Sequence, residues 1–243
     1  MRRAAALLLG LTMPAALPAQ TVVDARYDGP TQRYPHGVLG DAVEHDTLAV
    51  TLSDGRTLAL RWPDTLVFED TAPRLADLDG DGAPEVVVVE SHQDRGARLS
   101  VYGLDRGTLA LRAATPFLGT RFRWPAPAAL ADLDGDGRVE IAYVDRPHLA
   151  RILRVVRYDP AGPRLTEIAS AGGHTNHRIG DRGILGGLRA CPGATPEVVT
   201  ASPDWSRLQA TRLDAGRLVT RDLGPNKGPS DGPDAAARAL ACP

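Results

Sequence analysis

Short runs of alternating apolar and polar residues, each broken by a turn rich in Asp and Gly, recur along the chain. Leu48-Ala49-Val50-Thr51-Leu52 runs through Asp54-Gly55 into Thr57-Leu58-Ala59-Leu60-Arg61. The same pattern takes Leu99–Tyr102 through Asp105-Arg106-Gly107 into Thr108–Arg112, and Ile152–Tyr158 through Asp159-Pro160-Ala161-Gly162 into Leu165–Ile168. A fourth copy takes Leu208–Arg212 through Asp214-Ala215-Gly216 into Leu218–Arg221. A period of two with Asp/Gly punctuation predicts antiparallel strands joined by tight turns. Beyond residue 19 no long stretch has the i, i+3, i+4 apolar spacing of an amphipathic helix, and only Ala235–Ala241 reads as a short helical turn. The chain is expected to be all-β.

The turn aspartates Asp54, Asp105, Asp159 and Asp214 stand 51 to 55 residues apart. Strand–turn–strand units at that spacing fit the blades of a β-propeller. Four units are expected, over about 36–70, 73–115, 127–170 and 182–223. They make a small or incomplete propeller of about four blades, closed by itself or completed by a second copy.

Two of the units carry a duplicated acidic loop. Asp77-Leu78-Asp79-Gly80-Asp81-Gly82-Ala83-Pro84-Glu85 is matched by Asp132-Leu133-Asp134-Gly135-Asp136-Gly137-Arg138-Val139-Glu140. Each copy follows an apolar lead-in and enters a β-rich run, Val86–Val89 or Ile141–Val144. Carboxylates at relative positions 1, 3, 5 and 9 around two glycines suit a hard cation that takes oxygen ligands, and Ca2+ in particular. Asp77, Asp79, Asp81 and Glu85 are the expected side-chain ligands of one site, with the main-chain carbonyl of Ala83. Asp132, Asp134, Asp136 and Glu140, with the carbonyl of Arg138, are those of a second. An EF-hand is excluded, because its position-12 Glu is Val88 or Tyr143 here and the flanks are β-forming. The bland alternative, a pair of acidic β-turns, does not account for two copies in one register that both end in Glu. Without a cation the crowded carboxylates repel one another, which is expected to loosen each loop. Unit four keeps Thr195-Pro196-Glu197-Val198-Val199 and unit one keeps Asp41, but both lack the Asp series, so two Ca2+ sites are expected and not four.

At Asp77–Val89 and Asp132–Val144 the chain resembles the FG-GAP/VCBS-type repeats of integrin-α-like β-propellers and of many bacterial surface proteins. The resemblance covers two units well and two poorly. It implies calcium in loops between strands, with binding as the common task in place of catalysis. Four units are fewer than the seven blades usual in that family.

The N-terminus reads as an export signal over residues 1–19. Arg2 and Arg3 supply charge, Ala4–Leu11 an apolar core, and Pro14–Ala19 a small-residue region with cleavage near Ala19-Gln20. That core is too short to span a bilayer, so no membrane span is expected after cleavage. The expected layout is this signal, a repeat domain over 20–224 and a polar tail over 225–243, exported to the periplasm or secreted. A formal net charge of −2 gives no support to nucleic-acid binding. The two cysteines, Cys191 and Cys242, are expected to pair in an oxidising compartment and tie the tail to unit four.

A second candidate site comes from histidines near the starts of units. His36 precedes Gly37–Asp41, while His174 and His177 precede Arg178–Asp181. If those segments line a propeller axis, His36, Asp41, His174, His177 and Asp181 could converge as a transition-metal or acid–base centre. The plain alternative is that they are polar loop residues satisfying backbone groups. Ser91-His92 and His45-Asp46 are neighbours in sequence without a nucleophile elbow, and Arg121 and Arg123 beside Trp124 read as solvated strand faces. Two functions follow. The first is a non-enzymatic calcium-binding module for a protein or glycan partner. The alternative is a hydrolase of phosphoesters or glycans that uses the axial His/Asp set.

Overall fold

A computed structural model describes residues 20–227 and 239–242 of the chain. The expected export signal and most of the tail, including 235–238 of the short helical turn, lie outside the described residues. Within them the chain is all-β, and its strands form antiparallel sheets.

The first sheet contains β1 (Val22–Thr31), β2 (Glu44–Leu52), β3 (Thr57–Arg61), β4 (Leu66–Phe68), β5 (Arg74–Ala76), β6 (Glu85–His92), β7 (Gly96–Asp105) and β8 (Thr108–Ala114). Its path is β1-β2-β4-β6-β7-β8, with β3 added on β2 and β5 on β6. The first two repeat units therefore share one sheet, because the short β4 pairs with both β2 and β6. The second sheet is β9 (Pro125–Ala131), β10 (Glu140–Asp145), β11 (Ile152–Asp159) and β12 (Arg164–Gly172). The third is β13 (Gly187–Arg189), β14 (Glu197–Ala201), β15 (Arg207–Asp214) and β16 (Arg217–Pro225). In both, each strand pairs with its sequence neighbour, as hairpin-linked strands do.

All four predicted hairpins form, and their registers place Thr51 opposite Thr57, Asp105 opposite Thr108, Asp159 opposite Arg164 and Asp214 opposite Arg217. Strand β1 lies outside the expected first unit. It pairs antiparallel with β2 and alternates exposed and half-buried residues, as an edge strand with one covered face does.

Why four consecutive valines are all buried follows from the stacking of the sheets. Successive side chains on a strand point to opposite faces. Val86 and Val88 of β6 pack with Leu48, Val50 and Phe68 of the first unit, while Val87 and Val89 join Trp124, Ile141 and Tyr143 on the other side. In the second sheet, Ile141 and Tyr143 face unit two, whereas Ala142 and Val144 pack with Val198 and Leu213 of the third sheet. Each inner strand is covered on both faces, and burying one such Val or Leu side chain contributes roughly 1.5–3 kcal/mol. The acidic loops are pinned by the same packing, since Leu78 and Leu133, second in each motif, are both 1% exposed.

Candidate metal centres

Each acidic loop joins two antiparallel neighbours of one sheet: β5 to β6 in the first copy and β9 to β10 in the second. Gly80 and Gly82 have φ of 78° and 85°, and Gly135 and Gly137 have 82° and 87°. That left-handed backbone favours glycine and curls the loop back on its own first carboxylate. Asp77 Oδ1 accepts the N–H of Gly80 at 2.8 Å and its Oδ2 that of Gly82 at 2.9 Å. Asp132 does the same for Gly135 (2.7 Å) and Gly137 (2.9 Å). At position 7, Ala83 N donates to Asp81 Oδ1 at 2.7 Å and Arg138 N to Asp136 Oδ1 at 2.9 Å.

The terminal Glu has a structural part that the sequence did not reveal. Glu85 Oε2 accepts the buried N–H of Leu78 at 2.9 Å, and Glu140 Oε2 accepts that of Leu133 at 2.8 Å. One oxygen thus satisfies a main-chain donor whose neglect would cost roughly 1–3 kcal/mol. In Glu85 the other oxygen is left for the loop.

Here the copies part. Oxygens of Asp77, Asp79 and Glu85 lie within 4.8 Å of one another, as do those of Asp132, Asp134 and Asp136. In the second loop the Arg157 guanidinium lies across the carboxylates. It reaches Asp134 Oδ2 and Asp136 Oδ2 at 2.9 Å each, and Glu140 Oε1 at 2.8 Å through Nε and 2.5 Å through Nη2. Arg157 stands opposite Glu140 in the β10–β11 register. The β6–β7 register, in which Val86 faces Tyr102, puts Gly103 in the equivalent place. Among the described residues no ion pair reaches Asp77, Asp79, Asp81 or Glu85. Burial, joined by the charges of Asp79, Asp81 and Asp77, accordingly pushes the Glu85 carboxyl up to about 7, against the pull of the Leu78 N–H. Burial and the neighbouring Asp81 and Asp77 also raise Asp79. Burial raises Glu140 too, but Arg157 opposes it. The first loop opens into a pocket of about 420 Å³ that also takes in Arg112, Tyr158 and Gln20.

The five-residue axial centre does not assemble as expected. His174, between β12 and β13, is buried against the third sheet, its Nδ1 2.9 Å from Thr200 Oγ1, and burial lowers it to about 4. The Asp41 carboxylate accepts the N–H of Val43 at 2.9 Å, and Asp181 meets His177 Nε2 through its carbonyl at 2.9 Å, with its carboxylate acting as a nearby charge. The loop that carries His36 and the segment after His177 are joined by Gly180 N–H to Val38 O at 2.9 Å, but among the described residues His36, His177 and a third ligand group do not converge within ion-binding reach. The partner that sequence reading missed is His148, whose Nε2 lies 3.1 Å from His177 Nδ1. Nothing in its local sequence, Pro147-His148-Leu149, marked it. Arg121 is not simply solvated, since its guanidinium lies over the rings of Phe122 and Tyr34.

Cys191 and Cys242 form a disulfide with Cα atoms 5.5 Å apart, which ties the chain end to the third sheet. No helix among the described residues is long and apolar enough to cross a membrane.

Antiparallel units that repeat an acidic loop between two paired strands define a β-rich repeat protein. Residues 77–143 match the family model of the FG-GAP-like repeat, a span that takes in both acidic loops, so the chain carries FG-GAP-type repeat sequence. No curated protein matches the chain.

Proposed function

We propose that this chain is an exported, calcium-stabilised propeller of about four blades that binds a protein or glycan partner without catalysing a reaction. The observation that carries this reading is the first acidic loop. Its carboxylates converge with no protein cation in ion-pair contact among the described residues, although the Arg112 charge bears on Asp79; its backbone is curled by two left-handed glycines, and Glu85 is held in place by Leu78. That donor set is hard oxygen throughout, which suits Ca2+. Asp77, Asp79 and Glu85 would hold the ion, with Asp81 and the carbonyl of Ala83 beside them. A bound dication would cancel the mutual repulsion of these groups and fix the connection between β5 and β6.

The second loop offers the same residues, but an ion there competes with Arg157. It is the weaker of two sites in this reading. The FG-GAP-like match supports a binding role.

Calorimetric titration with Ca2+ and thermal melting with and without chelator test the proposal. Binding at the first loop should raise the melting temperature, by the equivalent of about 2.7 kcal/mol at a hundredfold excess over Kd. An absence of heat together with unchanged melting would refute the calcium reading.

A further inference from the structure

The fourth unit keeps the terminal Glu of the acidic loops, at Glu197, and none of their aspartates. Strand register decides what surrounds that Glu. Arg189 of β13 stands opposite Glu197, where Ala76 and Ala131 stand opposite Glu85 and Glu140. The β14–β15 register, in which Val198 faces Thr211, puts Arg212 on the other side of Glu197, as Arg157 flanks Glu140. Arg221 of β16 faces Ala210, two positions along β15 from Arg212. Side chains opposite one another, or two apart on a strand, share a face. Arg189, Glu197, Arg212 and Arg221 therefore rise from four adjacent strands on one face of the third sheet. With Thr195 and the Cys191–Cys242 bond they line a pocket of about 670 Å³.

Glu197 is the carboxylate of that lining. Arg221 holds it by both arms of the fork, Nε donating to Oε1 at 2.8 Å and Nη2 to Oε2 at 2.6 Å, and Arg189 Nη1 reaches Oε2 at 3.4 Å. The hydrogen bonds from Arg221, joined by the charges of Arg221, Arg189 and Arg212, hold the Glu197 carboxyl below its ordinary value against its burial. It is ionised at neutral pH, and three guanidiniums against one carboxylate leave the pocket two positive charges in excess. Arg212 also pairs with Asp214 at 3.4 Å, but that carboxylate is 56% exposed and screened by water. Arg189 is largely buried, and its Nε has no hydrogen-bond partner among the described residues. A buried donor on a charged group is costly to leave unmet, and an oxyanion supplies several acceptors at once.

We infer that this pocket binds a phosphate or sulfate group. A dianion matches the excess of two charges, and the planar fork of a guanidinium matches the oxygens of such a group. The volume lies within the roughly 300–1,000 Å³ of small-molecule sites, so there is room for an organic body behind the anion. Where the first loop gathers carboxylates, the fourth unit gathers guanidiniums, and the charge of the ligand is inverted. The inference stands whether or not the acidic loops hold calcium.

The test uses the purified full chain without added Ca2+, which would precipitate phosphate. Glucose 6-phosphate, glucose 6-sulfate, inorganic phosphate, inorganic sulfate and glucose are each titrated by calorimetry. The anions should bind in competition with one another, and glucose should not bind. Affinity for the phosphate ester should fall below about pH 6, where its second proton returns, while that for the sulfate ester stays level. An ester tighter than its free ion makes the group the end of a larger ligand, and equal affinities make the ion itself the ligand; either supports the site. Arg212→Gln, at a partly exposed position, should weaken the anions about tenfold with melting preserved, and Arg189→Gln should weaken them as well. Arg207→Gln, at the far end of β15, should bind as the parent does. Failure of the parent protein to bind any of the four anions would overturn the inference. So would undiminished affinity in Arg212→Gln.

Discussion

The Arg157 guanidinium holds Glu140 Oε1 through two nitrogens, at 2.8 and 2.5 Å, and so puts a protein cation in direct contact with the loop, where in the first repeat Arg112 acts on Asp79 without an ion pair. The two acidic loops are near-identical in sequence, and a single residue on the facing strand makes them electrostatically unlike. Arg157→Gln should tighten the second Ca2+ site about tenfold, since hydrogen bonds to charged groups contribute about 1.5–3 kcal/mol each. Asp79→Asn should instead weaken the first. Calorimetry on the three proteins checks this. Two equally tight sites in the parent chain, unmoved by Arg157→Gln, would show that Arg157 is no competitor.

Glu44 is 2% exposed and its Oε1 has no hydrogen-bond partner. Burial, then the charges of Glu69, Asp41 and Asp70, push its carboxyl up to about 9. The folded state therefore holds a proton that the unfolded chain gives up near the ordinary glutamate value. Stability from this group falls as pH rises from about 4.5 through about 9. Glu44→Gln keeps the shape and removes the titration. It should melt several degrees above the parent at pH 8 and close to it at pH 4, as scanning calorimetry at the two pH values will read.

His174 behaves in the opposite sense. Burial against Thr200 lowers it to about 4, so on acidification the unfolded chain binds a proton that the folded one refuses. The resulting loss of stability is absent above about pH 6.5 and grows as pH falls toward about 4. Denaturant titrations over that range should show a steeper acid loss in the parent than in His174→Asn. Parallel pH profiles would remove His174 as the cause.

The Cys191–Cys242 bond closes a long loop across the third sheet. In the chain-entropy model a loop of this length contributes about 4 kcal/mol. A Cys191→Ser/Cys242→Ser double variant should lose stability on that scale by urea unfolding. Its first-loop Ca2+ affinity should stay within about twofold, because that loop lies in the first sheet and shares no contact with the bond. A parallel fall in Ca2+ affinity would show the third sheet to be coupled to the first.

Hairpins were legible because their information is local. Asp54-Gly55, Asp105-Arg106-Gly107 and Asp214-Ala215-Gly216 specify turns whose flanking residues alternate, and the registers follow. The acidic loops were legible for the same reason, as their ligand residues lie within nine positions of one another. Strand β1 was missed because Val22–Thr31, an edge strand, carries little apolar signal. The merging of the first two units through β4 rests on three residues that pair with two distant strands.

The sequence by itself determined what depends on near neighbours: an all-β chain, its turns, its duplicated carboxylate loops and the pairing of its only two cysteines. The tertiary structure decided what depends on groups far apart in the chain. It set Arg157 across one loop and Gly103 beside the other, packed His174 against a sheet, and brought His148 to His177. A carboxylate's charge state or an imidazole's partner is fixed by whatever lies within a few ångströms, and strand pairing and sheet stacking choose those neighbours.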